Sequence, residues 1–216
     1  KKILILGINS FLGSYFLKNI IEEKDYHFYG TYNKSTFRIK KYLLKFKKNF
    51  FKINMNNKNK KLINIFQKTK PDIIINFIGY SDPQTINEKN SLINFIKNIA
   101  FSLELSKIKI EHFYNIGSCE EYYGSTSKLK ENSKLANTTL YSSYKISIHK
   151  FLLNFLKNNH INYTNLRTFN IIGKDKYKEN VISFINSNIV SKKLNFYNQY
   201  AVRDLIDEHF NINTFH

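Results

Sequence analysis

Residues 2–13 read Lys-Ile-Leu-Ile-Leu-Gly-Ile-Asn-Ser-Phe-Leu-Gly. The first five, Lys2–Leu6, are a short apolar run halted by Gly7, the pattern of a parallel strand buried on both faces. From Ser10 to Glu23 the period changes. Phe11, Leu12, Tyr15, Phe16 and Ile20 share one face, which predicts an amphipathic helix. A buried strand passing through a glycine turn into a helix is the opening of a βαβ unit.

Working outward, the same alternation recurs. Strands are predicted at His27–Tyr32, Asn49–Ile53, Asp72–Ile78, His112–Ile116, Asn162–Arg167 and Leu194–Tyr197. Helices are predicted at Lys60–Lys70, Ser91–Ser106, Thr138–Asn159 and Asn180–Val190. Asn33–Lys48 reads as a basic connection, and Asn54–Lys61 as a solvated turn. Strands separated by helices give a doubly wound α/β sheet, parallel, with helices on both faces. Gly7, Gly79 and Gly117 are each expected just past the carboxyl end of a strand, the edge where such sheets bind ligands.

Composition narrows the class. A chain of 216 residues, 42% hydrophobic and 16% aromatic, can build a core of one domain or slightly more. With 7 Gly, 2 Pro and 1 Cys it is neither a low-complexity chain nor a disulfide scaffold. No apolar run approaches the ~18–20 residues of a membrane span. The six histidines lack metal-ligand spacing, there is no CxxC, and no metal is expected. The net charge of +18 reflects a Lys-rich composition. It favours anionic substrates or surfaces. A nucleic-acid module would centre on Lys34–Lys61, yet that stretch holds no recognition helix or stacking motif, and nucleic acid is not an expected partner.

Three stretches can carry chemistry. Gly7-Ile-Asn-Ser10-Phe-Leu-Gly13 is spaced G-x-x-G-x-x-G with Ser10 at the middle glycine. Glycine there lets the backbone approach a pyrophosphate, whose charge is met by the amides of the helix N-terminus. Tyr141 and Lys145 lie four apart on one helix face. An ammonium beside a phenol favours the phenolate, so the pair could exchange a proton with a hydroxyl or ketone. Gly117-Ser118-Cys119-Glu120-Glu121-Tyr122-Tyr123-Gly124 follows a strand and offers a hydroxyl for the same oxygen.

In that order, the three stretches resemble the extended short-chain dehydrogenases/reductases of the NAD-dependent epimerase/dehydratase type, which act on nucleotide-activated sugars. Pro71–Ser81 (PDIIINFIGYS), Leu166–Gly173 (LRTFNIIG) and Asn198–Asp207 (NQYAVRDLID) are similar to further segments of that family. The resemblance implies a Rossmann-type dinucleotide-binding domain over 1–165 and the start of a substrate-binding lobe over 166–216. Members normally continue for about a hundred further residues, a usual domain length, so the lobe is expected to be incomplete.

The resemblance also implies roles. Tyr141 would be the acid/base. Lys145 would hold the nicotinamide ribose and tune Tyr141, and Ser118 would polarise the reacting oxygen. Counting forward from Gly117 gives Ser118 that place. Counting back from Tyr123-Gly124 gives it to Cys119, whose S–H is a weak donor. The strand end favours Ser118. The cofactor would meet Gly7, Ser10, Phe11, Leu12 and Gly13 in the first turn. After the second strand it would meet Asn33, Lys34 and Arg38. Asn54 and Met55, then Phe77, Ile78 and Gly79, with Tyr141 and Lys145, would complete the set. The substrate would meet Ser118, Cys119, Glu120, Asn170 and Arg203.

No acid follows the second strand, where NAD-binding folds place one for the ribose 2′-hydroxyl. Lys34 and Arg38 stand there instead, so NADP is the expected cofactor, with NAD possible. The expected function is NAD(P)-dependent reduction of a 4-keto sugar nucleotide with Tyr141 as proton donor. Epimerization, 4,6-dehydration using acids such as Glu120 and Glu121, or cofactor binding without turnover are the alternatives. The partners are then a nucleotide sugar and a second copy in a homodimer, the compartment is the cytoplasm, and the setting is polysaccharide biosynthesis.

Overall fold

A computed structural model describes residues 1–56, 59–79, 83–122, 129–172 and 205–207. The chain divides into two compact units, 1–168 and 169–216.

The first unit is a parallel sheet. Its strands are β1 (Lys2–Leu6), β2 (His27–Tyr32), β3 (Phe50–Lys52), β4 (Ile73–Asn76), β5 (His112–Ser118) and β6 (Asn162–Thr168). They lie in the order β3-β2-β1-β4-β5-β6. The chain winds from β1 outward to β3, then crosses back beside β1 and winds the other way. The reversal falls between β1 and β4, where Leu6 is level with Asn76. Two neighbouring loops leave in opposite directions at such a point and open a crevice.

The helices are α1 (Phe11–Ile20), α2 (Lys40–Lys45), α3 (Asn59–Thr69), α4 (Ile86–Leu105) and α5 (Leu140–Asn158). One core cluster joins Leu4 and Leu6 of β1, Ile74 of β4 and Phe113 of β5 to the inner faces of α3, α4 and α5. The alternate strand positions, Ile3, Ile5 and Ile75, are equally buried. On that side α1 contributes Phe16, Leu17 and Ile20, with the Phe16 ring 5.6 Å from that of Phe77. Burial on both faces explains why β1 and β4 read as unbroken apolar runs.

Several boundaries differ from the sequence reading. β4 stops at Asn76, because the Asn76 side chain accepts from Ile78 N (3.1 Å) and turns the chain away. β5 runs on to Ser118, so Gly117 lies inside the strand rather than past it. A Cβ on Gly117 would strike the Glu121 carboxylate, which explains the glycine. α4 begins five residues earlier than expected, at Ile86. Thr85 accepts from Glu88 N (3.1 Å) while the Glu88 side chain accepts from Thr85 N (3.3 Å), a capping box that fixes the start. The basic connection contains α2, anchored by the buried Ile39 just before it.

In the second unit β7 (Asn170–Ile172) pairs in parallel with β8 (Leu205–Asp207). The helix expected at Asn180–Val190 and the strand expected at Leu194–Tyr197 lie outside the described residues.

Candidate active site

Gly7 follows β1 with φ +84°, a conformation that suits glycine. Its amide donates to the carbonyl (3.1 Å) and hydroxyl (3.2 Å) of Thr31 at the end of β2. A Cβ on Gly7 would press on Ile78 and Phe77 at 3.1–3.2 Å, so the loops after β1 and β4 approach as closely as backbone allows. A Cβ on Gly13 would collide with the Gly7 carbonyl. Ser10 caps α1, its oxygen accepting from Gly13 N (3.0 Å) and leaving its proton to donate outward. The result is a cleft of about 280 Å³ at the reversal of strand order. Gly7, Asn9 and Ser10 form one wall, and Thr31, Tyr32 and Asn33 form the end. Phe77, Ile78 and Gly79 form the other wall, with Ile53–Met55 and the side chains of Leu92 and Phe95 closing the base.

Beyond Gly79 the cleft meets the second group of candidates. A Cβ on Gly79 would stand 3.6 Å from Lys145 Nζ and 3.4 Å from the Tyr144 hydroxyl. Tyr141 and Lys145 occupy successive turns of α5, which Thr139 caps by accepting from Ser142 N (3.0 Å). Ser118 ends β5 and stands close enough to the Tyr141 phenol to influence its proton affinity. Burial pushes the phenol up to about 12. Ser118 opposes that rise, and the nearby Glu120, Cys119 and Glu121 add to it. Burial brings the Lys145 amine down to about 8, with Glu121 acting the other way. The amine donates to the Ile116 carbonyl (2.7 Å) and stands 5.8 Å from the Tyr141 ring centre. Its hydrogen bond goes to backbone, and desolvation governs the phenol.

A family model described as the NAD dependent epimerase/dehydratase family matches residues 3–207. The chain belongs to that family. Solved structures share its fold. A dTDP-glucose 4,6-dehydratase from Bacillus anthracis, solved with NAD, is 21% identical with a TM-score of 0.80, over 96% of this chain and 67% of that one. A UDP-glucuronic acid 4-epimerase from Bacillus cereus, solved with UDP-glucuronic acid and NAD, is 18% identical with a TM-score of 0.80, over 96% and 69%. A UDP-glucose 4-epimerase from Thermotoga maritima, solved with UDP-glucose, is 18% identical with a TM-score of 0.78, over 96% and 70%. No curated protein matches the sequence.

The cleft fits the dinucleotide that the family name implies. Its Gly7 wall has no room for a side chain, and the capped N-terminus of α1 adjoins it. Of the residues predicted to bind it, Gly7, Ser10, Asn33, Asn54, Met55, Phe77, Ile78 and Gly79 line the cleft. Phe11, Leu12, Gly13, Lys34 and Arg38 do not. The Phe11 ring packs 5.2 Å from that of Tyr15, Lys34 is solvent-exposed, and the Arg38 guanidinium lies over Phe37 (4.9 Å) and Phe11 (6.0 Å). The sequence reading missed Asn9. Its side chain donates to Asn33 Oδ1 (2.7 Å) and accepts from Asn33 N (3.3 Å), tying the loops after β1 and β2 together.

The acidic pair divides. Glu120 is exposed, whereas Glu121 is wholly buried. The Glu121 carboxylate accepts from Ser118 N (2.9 Å), from Asn165 Nδ2 (3.0 and 3.3 Å) and from Arg167 Nε (2.8 Å). The loop glutamate expected to be available for proton transfer is thus a locked ion-pair partner. Cys119 is half-buried in the same turn. Asn170 lies in β7, and Arg203 lies outside the described residues. Among the described residues no three His, Cys, Asp or Glu side chains gather as metal ligands. None of their helices is long and apolar enough to cross a membrane.

Proposed function

We propose that the protein is an oxidoreductase that reduces a 4-keto sugar nucleotide, with Tyr141 as the proton donor. One observation carries this reading: the half-buried Tyr141 phenol, pushed up to about 12, stands near Ser118 and near Lys145, whose amine lies close to Gly79 of the cleft wall. A phenol with that value holds its proton at neutral pH, which suits protonation of a ketone oxygen rather than removal of a proton from an alcohol. The dinucleotide, when bound, supplies the hydride. Ser118 donates to the substrate oxygen, fixing it within reach of the phenol. As Tyr141 gives up its proton, negative charge develops on its oxygen, and the amine of Lys145 is the nearby cation that can stabilise it.

The locked Glu121 supports reduction over dehydration. A 4,6-dehydration removes and returns protons through mobile acids, and here only Glu120 of the pair is exposed. The neighbouring structures make epimerization the second reading, since the same phenol would then begin as a base. Incubation with NADPH and a panel of 4-keto sugar nucleotides, followed at 340 nm, tests the proposal. Consumption of reductant supports it, and turnover without net consumption favours the epimerase.

NADP(H) is the proposed cofactor. Asn33 stands first after β2, no carboxylate accompanies it, and the exposed Lys34 could meet a 2′-phosphate. A lower Michaelis constant for NADH than for NADPH would refute this. We further propose that residues 1–165 form a dinucleotide-binding domain and that residues 166–216 begin a substrate-binding lobe, with Asn170 and Arg203 as its substrate-binding residues. The proposed setting is cytoplasmic polysaccharide biosynthesis. A homodimer is proposed on the exposed Phe101, Leu105 and Leu153 of α4 and α5.

A further inference from the structure

Three asparagines stand at one level of three adjacent strands. Asn76 of β4 pairs with Asn115 of β5, and Asn115 pairs with Asn165 of β6. Asn76 and Asn115 are almost completely buried, where an amide is tolerated only with its bonds made. They make them to one another. Asn76 Nδ2 donates to Asn115 Oδ1 (2.8 Å), and Asn115 Nδ2 donates to Asn165 Oδ1 (2.8 Å). Asn165 Nδ2 then donates to both oxygens of Glu121. At the far end, Asn76 Oδ1 accepts from Ile78 N (3.1 Å).

Every donor in this chain points the same way, from the cleft wall at Ile78 towards the buried carboxylate. Aligned hydrogen bonds of this kind polarise and strengthen one another. The carboxylate in turn accepts from Ser118 N, and the Ser118 hydroxyl accepts from Glu120 N (3.2 Å). Glu121 therefore holds the turn that presents Ser118 to Tyr141. Arg167 anchors its other side and also donates to the Tyr122 hydroxyl (3.1 Å).

We propose that Asn165 is a positioning residue: by donating to Glu121 it fixes the Ser118 turn, and the asparagine ladder joins that turn to the dinucleotide cleft. This rests on the reading of Ser118 and Tyr141 as the reacting pair. Asn165 touches neither of them in the hydrogen bonds described. Its effect travels through one carboxylate. Tyr163 adds a weaker contact, its hydroxyl lying 3.5 Å from Asn165 Oδ1 and 3.1 Å from His149 Nδ1.

The chain's one cysteine, Cys119, lies within the turn and reports on it. The experiment measures the rate of Cys119 alkylation by iodoacetamide in the full chain without substrate, for variants confirmed to melt cooperatively. Asn165→Asp keeps the size and the acceptor for Asn115 but loses the donor to Glu121 and faces it with a second carboxylate. Asn165→Leu removes both functions. Each is expected to speed alkylation about tenfold, as an order of magnitude for a loosened turn. Each is also expected to lower kcat at least tenfold while dinucleotide Kd changes less than about threefold.

Wild-type alkylation in both variants overturns the proposal. Cys119 alkylation needs no substrate. Loss of this effect therefore leaves the Tyr141 assignment standing, and failure of Tyr141→Phe to abolish turnover leaves the ladder standing.

Discussion

The two halves of the sheet meet their ligand edge by different means. The half formed by β1, β2 and β3 presents backbone: Gly7 at φ +84°, the capped N-terminus of α1, and a wall too close for side chains. The half formed by β4, β5 and β6 presents side chains: three amides, a carboxylate, a guanidinium, a phenol and an amine, most of them buried and bonded to one another. A dinucleotide needs shape and amide dipoles, which recur wherever a strand turns into a helix. Proton transfer needs groups whose environments push their proton affinities apart, which takes burial and specific neighbours.

The sharpest test of that division is Tyr141→Phe. Turnover should fall about 10³-fold, within the usual range for loss of a positioned acid. Dinucleotide affinity should stay within about threefold, read by single-turnover kinetics and fluorescence titration. Comparable losses of both would erase the distinction between halves.

Glu121→Ala comes next, and acts on stability. It leaves Arg167 and the Asn165 amide without their buried acceptor. Breaking such a pair costs roughly 3 kcal/mol, measured by urea denaturation. A loss below about 0.5 kcal/mol would place Glu121 with ordinary surface carboxylates.

Lys145 supplies a pH dependence. Its folded value of about 8 lies below the 10.5 of an unrestrained lysine. Between those limits the unfolded chain binds the extra proton, so stability rises with pH across that window. Below pH 8 Lys145→Met should melt several degrees above wild type, and the gap should close as pH rises towards 10.5. In a chain of this size 1 kcal/mol moves Tm by about 2–4 °C. Tyr141 acts with the opposite sign at higher pH, because its raised value favours the folded chain below pH 10 and that contribution fades towards 12. A gap independent of pH would mean that the amine keeps its proton throughout.

Gly7→Ala should be the mildest change. The positive φ and the contact with Ile78 predict about 1 kcal/mol of strain. Dinucleotide binding should weaken about tenfold, with kcat at saturation nearly unchanged.

The contrast between halves also governs what could be read in advance. Gly7, Ser10 and Gly13 are spaced by the geometry of one turn, so their spacing alone marks the cleft. Tyr141 and Lys145 are four apart on one helix, again a local relation. Asn76, Asn115 and Asn165 are separated by 39 and 50 residues, and only the register of β4, β5 and β6 brings them level. Nothing local distinguishes them in so Asn-rich a chain. The capping box at Thr85 and Glu88 was, by contrast, open to inspection, and it marks the start of α4. The Tyr141–Lys145 spacing revealed proximity but not where the ammonium bonds, because Ile116 O enters from another strand.

The aligned amides carry a consequence for how the sheet is threaded. Every position of β6 from Tyr163 to Thr168 is only half-buried, so apolar alternation says little about which residues should face which side. A slip of one residue against β5 would turn Asn165 to the opposite face. Asn115 and Glu121 would then both lose their bond to Asn165 at once. One polar rung can thus enforce the alignment of a strand whose greasy contacts would tolerate a mistake.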